Sequence, residues 1–364
     1  MAAALSGSLL GSLLLAGAAV CLTSGCSTVG YLAQAAGGHL DLLHRARPVA
    51  DVEADPATPP ALRERLQLSQ RLRDFAVSEL KLPDNNSYRR YADLQREAVV
   101  WNVVTASELS LTLKTWCYPV MGCVGYRGHF LQAAAEAEAA ALKAQGDEVS
   151  VYGVPAYSTL GWSNWIGGDP LLNTFIRWPE GALAQLIFHE LSHQVAYAAD
   201  DTTFNESFAV AVEGIGTRRW LAQHASPEAR AAYAQAEARR ADFRALTLRY
   251  RGLLLQVYAS AGPAPTAVDV AGQRQRKAAV MAALRSDHAA LKAGPWQGYA
   301  GYDDWFARAN NASFGVLAAY NELVPEFERL FERQGSDLTR FYAEVQALAA
   351  MPKDQRRARL AAQN

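Results

Sequence analysis

The stretch "LIFHELSHQVAY" (186–197) constrains this chain more than any other feature: two histidines stand four positions apart, with an acid directly after the first. On an α-helix, residues four apart lie one above the other on the same face. His189 and His193 can therefore aim both imidazoles at one point, with Glu190 displaced just beside them. Leu183, Leu186, Ile187 and Leu191 supply apolar neighbours, and no glycine or proline falls between 182 and 199. The spacing predicts a buried helix over 180–199. A core helix can hold the same letters with its histidines satisfied by neighbours. In the functional reading, two neutral nitrogens bind Zn²⁺, the ion brings a water's pKa toward 7, and Glu190 deprotonates that water.

A catalytic zinc takes a third protein ligand and keeps one position open. "DDTTFNESFAVAVEG" (200–214) offers Glu206 and Glu213, seven apart and so on one side of a continuous helix. Glu206 falls thirteen positions after His193, enough for one turn out of the first helix and a return antiparallel to it. Its bland alternative is a capping box over Thr203–Glu206, in which the acid only caps a helix start. Glu213, twenty positions after His193, is the other candidate, and its bland alternative is an ion pair with Arg218 or Arg219.

"FHELSHQVAY" followed by "FNESFA" resembles the gluzincin metallopeptidases, zincin-like enzymes whose third ligand lies in an Asn-Glu-x-x-Ala motif on the next helix. That resemblance implies His189, His193 and Glu206 as metal ligands and Glu190 as the catalytic acid–base group. More narrowly, the chain resembles a family of predicted bacterial aminopeptidases with a lipoprotein leader. "GCSTVGYLAQAAGGHLDLL", "SYRRYADL", "KTWCYPVMGCVGYRG", "VPAYSTLGW" and "DPLLNTF" carry that likeness beside the metal motif. It implies removal of N-terminal residues from peptides. A zinc endopeptidase of the envelope and a non-catalytic envelope lipoprotein are the alternatives.

Peptide hydrolysis also needs a donor for the oxyanion. Tyr157, Tyr197, Tyr302 and Tyr320 are candidates, each with ordinary packing as its other use. An aminopeptidase further needs an acid for the free amine, for which Glu213, Asp200 and Asp201 are available; Arg127 could anchor a carboxylate or form a structural ion pair.

The first forty residues hold no Lys, Arg, Asp or Glu, and "LLGSLLLAGAAVCL" (9–22) has the length of a signal-peptide core rather than of a membrane span. "LTSGC" then leads to Cys26, like a bacterial lipobox. Residues 1–26 are expected to form a signal peptide with Cys26 lipidated, an ordinary secretory signal being the alternative. This puts the protein on the periplasmic side of the envelope, tethered to a membrane. Cys117 and Cys123, six apart around Pro119 and Gly122, suit a disulfide in an oxidising compartment. A net charge of −1 gives no basic field for nucleic acid.

Residues 27–60 read as a tether and a Pro-rich, acidic linker, and 61–364 as one catalytic domain. Helices are expected at 60–80, 129–146, 203–222, 226–260 and 269–293, with shorter ones over 303–362. Strands are expected within 96–116 and 148–162. Strands early and helices late predict an α+β fold, a small sheet beside a helical body.

Overall fold

The computed structural model describes residues 30–31, 34–118, 122–156, 168–199, 201–260, 266–317 and 323–362. The fold is α+β: every strand among these residues lies between 47 and 172, and helices make up the rest of the regular structure. None of the described helices is long and apolar enough to cross a membrane.

The N-terminal part consists of α1 (34–45), β1 (Arg47–Pro48), α2 (Val49–Ala54) and α3 (Pro60–Ser78). Its composition suggests a linker over 47–60, and the structure corrects this. Arg47 and Pro48 pair antiparallel with Tyr91 and Arg90 of β2 (Arg90–Ala92), and Val49 and Val52 are buried in the main core. Proline is tolerated here because β1 is an edge strand. Two valines three apart suffice to bury one face of so short a helix. In α3, Pro60 presets the first turn, and Leu66, Ser69, Leu72, Arg73 and Ala76 recur at helical spacing on the buried side.

Strand β3 (Val100–Ala106) is the centre of a second sheet. The hairpin β4 (Trp116–Tyr118) and β5 (Gly122–Val124) follows, then β6 (Arg127–His129), α4 (Gln132–Ala144), β7 (Glu148–Val154) and β8 (Leu171–Leu172). β3 pairs antiparallel with β6 on one side and β7 on the other, from Val100↔Val154 to Ala106↔Glu148. Successive side chains of a strand face opposite ways. Val103 accordingly packs with Ala135 and Ala139 of α4, whereas Val104 and Ala106 pack with Ala312 from the far side. The expected strand over 96–116 is shorter because residues 107–108 leave the sheet: their carbonyls accept from the amide of Asn311, at 3.0 and 2.7 Å. β7 stops at Val154, one residue before Pro155. In the hairpin, Cys117 lies directly opposite Cys123, and a disulfide joins them.

Nine helices follow among the described residues: α5 (Glu180–Ser192), α6 (Thr202–His224), α7 (Pro227–Ala259), α8 (Ala267–Ala293), α9 (Asp303–Arg308), α10 (Asn311–Leu317), α11 (Val324–Arg333), α12 (Leu338–Ala349) and α13 (Lys353–Ala362). Helix α6 is buried on most sides, which is why its residues are mostly apolar or small. Phe204 meets Phe327 of α11 at 5.0 Å between ring centroids, and Phe208 meets Phe341 of α12 at 5.9 Å. A Cβ at Gly216 would stand 2.5 Å from Leu80 and 2.9 Å from Phe188, so glycine there lets α6 approach α5 closely. The long helices α7 and α8 share a separate core around Tyr250, Leu254, Leu284, Trp296 and Phe306.

Candidate metal centre

Helix α5 buries Leu183, Ala184, Ile187, Phe188 and Leu191 and turns His189 toward α6. The two helices run antiparallel in register: Phe188 approaches Gly216, His189 faces Glu213, and His193 faces Glu206. Three donor atoms converge. His189 Nε2 and His193 Nε2 are 3.2 Å apart, and Glu206 Oε2 lies 3.3 Å from the first and 3.9 Å from the second. Metal–ligand bonds of about 2.0–2.2 Å at tetrahedral angles place neighbouring donors roughly 3.3–3.6 Å apart. The sides of the triangle, 3.2, 3.3 and 3.9 Å, bracket that spacing, and two imidazoles with one carboxylate are donors of the kind that bind a divalent metal. His189, His193 and Glu206 together could hold a metal ion.

Glu213 stands elsewhere: its Oε2 is 2.8 Å from His189 Nδ1, on the opposite side of the same ring. It pairs with neither Arg218, which meets Glu328, nor Arg219, which donates to the Ser336 carbonyl. The Thr203–Glu206 capping box does not form. Asp201 is the N-cap of α6, accepting from Phe204 N at 3.1 Å, so Glu206 lies past the first helical turn and faces α5.

The expected helix over 180–199 ends early, at Ser192, with His193 as its C-cap. No helix breaker stops it; side chains from elsewhere take over the backbone. Asn205 accepts from Ala198 N and donates to Ala198 O, both at 2.8 Å, closing the link between α5 and α6. Gln346 of α12 donates to Val195 O at 2.9 Å. Asn85 donates to the Gln194 side-chain oxygen at 2.6 Å.

Electrostatics separates the two histidines. Burial disfavours a charge on His189, but hydrogen bonds to Glu206 and Glu213 outweigh it and hold its pKa well above the usual value. Burial, reinforced by neighbouring His189, holds His193 down at about 4. Burial works to raise Glu206, and the hydrogen bond from His189 with the electrostatic pull of the two imidazoles overcomes it, keeping the carboxyl below its ordinary range.

A family model described as "Putative aminopeptidase" matches residues 30–360, a span that includes every group of this centre. The chain belongs to that family. The family's name implies a peptidase. No curated protein and no solved structure matches the chain.

In this member of the family, several residues singled out by sequence have other partners or surroundings. Asp201 is 2 % exposed and paired with Arg356 and Arg357, so it does not meet a substrate amine. Arg127 pairs with Glu138 at 3.1 Å. Tyr302 packs in the α7–α8 core, and Tyr197 is exposed. Cys26, Tyr157, Asp200 and Tyr320 lie outside the described residues. Sequence reasoning missed Tyr88. It is 1 % exposed with a left-handed backbone (φ 64°), and its hydroxyl is held protonated first by burial and then by the negative charge of Glu190. The only sequence signal for it was its place within "SYRRYADL".

Proposed function

We propose that this protein is a zinc-dependent peptidase with a zincin-like core, in which His189, His193 and Glu206 hold the metal and Glu190 is the catalytic acid–base group. The triangle of donor atoms with sides of 3.2, 3.3 and 3.9 Å carries the reading. Family membership supports the peptidase class. Two consecutive helices bearing the donors, together with an antiparallel sheet, support a zincin-like core.

Zinc, when bound, supplies Lewis acidity that brings a water's pKa toward 7 and polarises a carbonyl. Glu190, half-buried beside His189, takes a proton from the attacking water and passes it to the departing amine. Glu213 accepts the His189 Nδ1–H, which leaves the Nε2 lone pair facing the metal position. His193 is neutral at physiological pH, so its Nε2 lone pair is available as well.

In this reading the substrate is a peptide that loses N-terminal residues in the bacterial cell envelope. The apolar run at 9–22 and "LTSGC" support export, with a lipid on Cys26 tethering the chain to the periplasmic side of a membrane. A net charge of −1 gives no basic field to draw nucleic acid.

Metal analysis of the purified protein should find one zinc per chain, and chelation should abolish hydrolysis until zinc is restored. Aminoacyl-nitroanilides and internally quenched peptides then divide the possibilities. Cleavage of the first supports an aminopeptidase, and cleavage of only the second an endopeptidase acting on envelope proteins. A protein that neither holds zinc nor cleaves either probe is a non-catalytic envelope lipoprotein.

A further inference from the structure

The turn "LPDNNSYRRY" (82–91) takes no part in the chemistry above, yet it reaches the residue directly after the second histidine. We propose that Asn85 and Ser87 are positioning residues for the metal centre, acting through Gln194 to hold His193 at the end of α5. This rests on the zinc reading.

The need for such a grip follows from where the helix stops. A residue inside a helix is fixed by hydrogen bonds on both sides, but α5 ends at Ser192 and His193 is only its cap. Turn hydrogen bonds from Gln194 N to Leu191 O (3.2 Å) and from Val195 N to Ser192 O (2.9 Å) carry the backbone past the cap, and the Gln194 side chain adds a tertiary constraint. Its Oε1 accepts from Asn85 Nδ2 at 2.6 Å, and its Nε2 donates to Ser87 Oγ at 3.3 Å. A side-chain amide gripped by two side chains more than a hundred positions away cannot swing, and the backbone next to it is held in turn.

The loop that grips Gln194 is itself braced. Arg73, fully buried in α3, donates to three of its carbonyls: Ser87 at 3.0 Å, Pro83 at 2.7 Å and Asn85 at 3.1 Å. Asn85 Oδ1 also accepts from Ser87 N at 3.0 Å, fixing the two gripping residues relative to each other. Gln70 donates to Tyr88 O at 2.9 Å, and Tyr88 N donates to Asp169 O at 2.7 Å. Gly168 presses so closely that a Cβ there would stand 2.4 Å from Ser87 N, and its φ of 71° lies in the left-handed region that favours glycine. These contacts hold Tyr88 at φ 64°, a conformation that a bulky residue keeps only where its surroundings over-determine it and that recurs at functional sites.

The test compares Gln194→Leu, Gln194→Glu, Asn85→Ala and the double variant Asn85→Ala/Gln194→Leu in the full chain. Zinc affinity is measured by competition with a chromophoric chelator, the metal-free melting temperature by calorimetry, and the site's symmetry by the visible spectrum of the Co²⁺ form. Gln194→Leu and Asn85→Ala should each weaken zinc roughly tenfold or more, change the Co²⁺ spectrum and lower the metal-free melting temperature by only about 2–4 °C. The double variant should be no weaker than the worse single one, because both remove the same link. Gln194→Glu, which still accepts from Asn85, should regain most of the affinity. Undiminished zinc affinity in Gln194→Leu overturns the inference. So does a fall in affinity that tracks a fall in melting temperature and is not rescued by Gln194→Glu. If the wild-type chain takes up no zinc, the metal reading itself fails first.

Discussion

Glu213 Oε2 sits 2.8 Å from His189 Nδ1, while Glu206 Oε2 sits 3.3 Å from Nε2 of the same imidazole. Two glutamates seven positions apart on α6 thus grip opposite edges of one ring. The arrangement gives them different chemistry. The carboxylate at Nε2 shares the corner with His193, whereas the one at Nδ1 sets the tautomer and the tilt of the ring.

The first prediction separates these roles. Glu206→Ala should lose stoichiometric zinc. Glu213→Ala should keep it with affinity reduced about 10- to 100-fold. Chelator competition on both variants provides the measurement, and the reverse ranking would exchange the two assignments.

Glu190→Gln removes the proton acceptor while keeping nearly the same shape. Hydrolysis should fall by roughly 10²–10⁴-fold, with zinc content and melting temperature unchanged. Near-normal turnover would refute the role given to Glu190.

A third prediction concerns pH. In the metal-free protein His189 has its pKa raised, so it is cationic at neutral pH, and zinc must expel that proton to bind. Zinc uptake near pH 7 should therefore release a proton, and affinity should fall as the solution is acidified. Calorimetry in buffers of different ionisation enthalpy reads the proton directly. The same shift acts on folding. With the folded pKa above the unfolded value of about 6.5, the stabilisation in the metal-free protein is full below that value and is lost as pH rises through the folded one. Metal-free protein whose melting temperature climbs from pH 6.5 upward would contradict this.

Asp201 joins α13 to the start of α6. Arg356 Nη1 lies 3.0 Å from Asp201 Oδ2, and both side chains are almost wholly buried. Asp201→Ala breaks the buried ion pair with Arg356 and removes the cap on Phe204 N. The expected loss is about 3–5 kcal/mol, measured by denaturant unfolding. A loss below about 1 kcal/mol would mean that the pair behaves like a surface contact.

Much of the architecture was legible in local pattern. Helical spacing located α3, α4 and the helices from α5 onward, and β-branched runs located β3 and β7. The His-Glu-x-x-His motif was readable for the same reason: four-residue spacing is a property of the helix itself. Misreadings arose where composition stood in for placement. Prolines and acids at 47–60 suggested a linker, but two valines there join the core. An unbroken run through residue 199 suggested continuous helix, but after Ser192 Asn205 and Gln346 bond backbone groups and Asn85 holds the Gln194 side chain.

By itself the sequence determined that His189 and His193 share a helix face with an acid-bearing helix close behind, because backbone periodicity needs no knowledge of the rest of the chain. Which glutamate meets which ring nitrogen was decided by the packing of α6 against α5, set by a glycine at 216 and aromatic contacts from α11 and α12. The burial of Asp201, the strained backbone of Tyr88 and the early end of α5 likewise depend on partners far away in the chain, such as Arg356 and Asn85. Such contacts form only when the chain folds, since hydrogen bonds and van der Waals contact act over a few ångströms of space at any separation along the sequence.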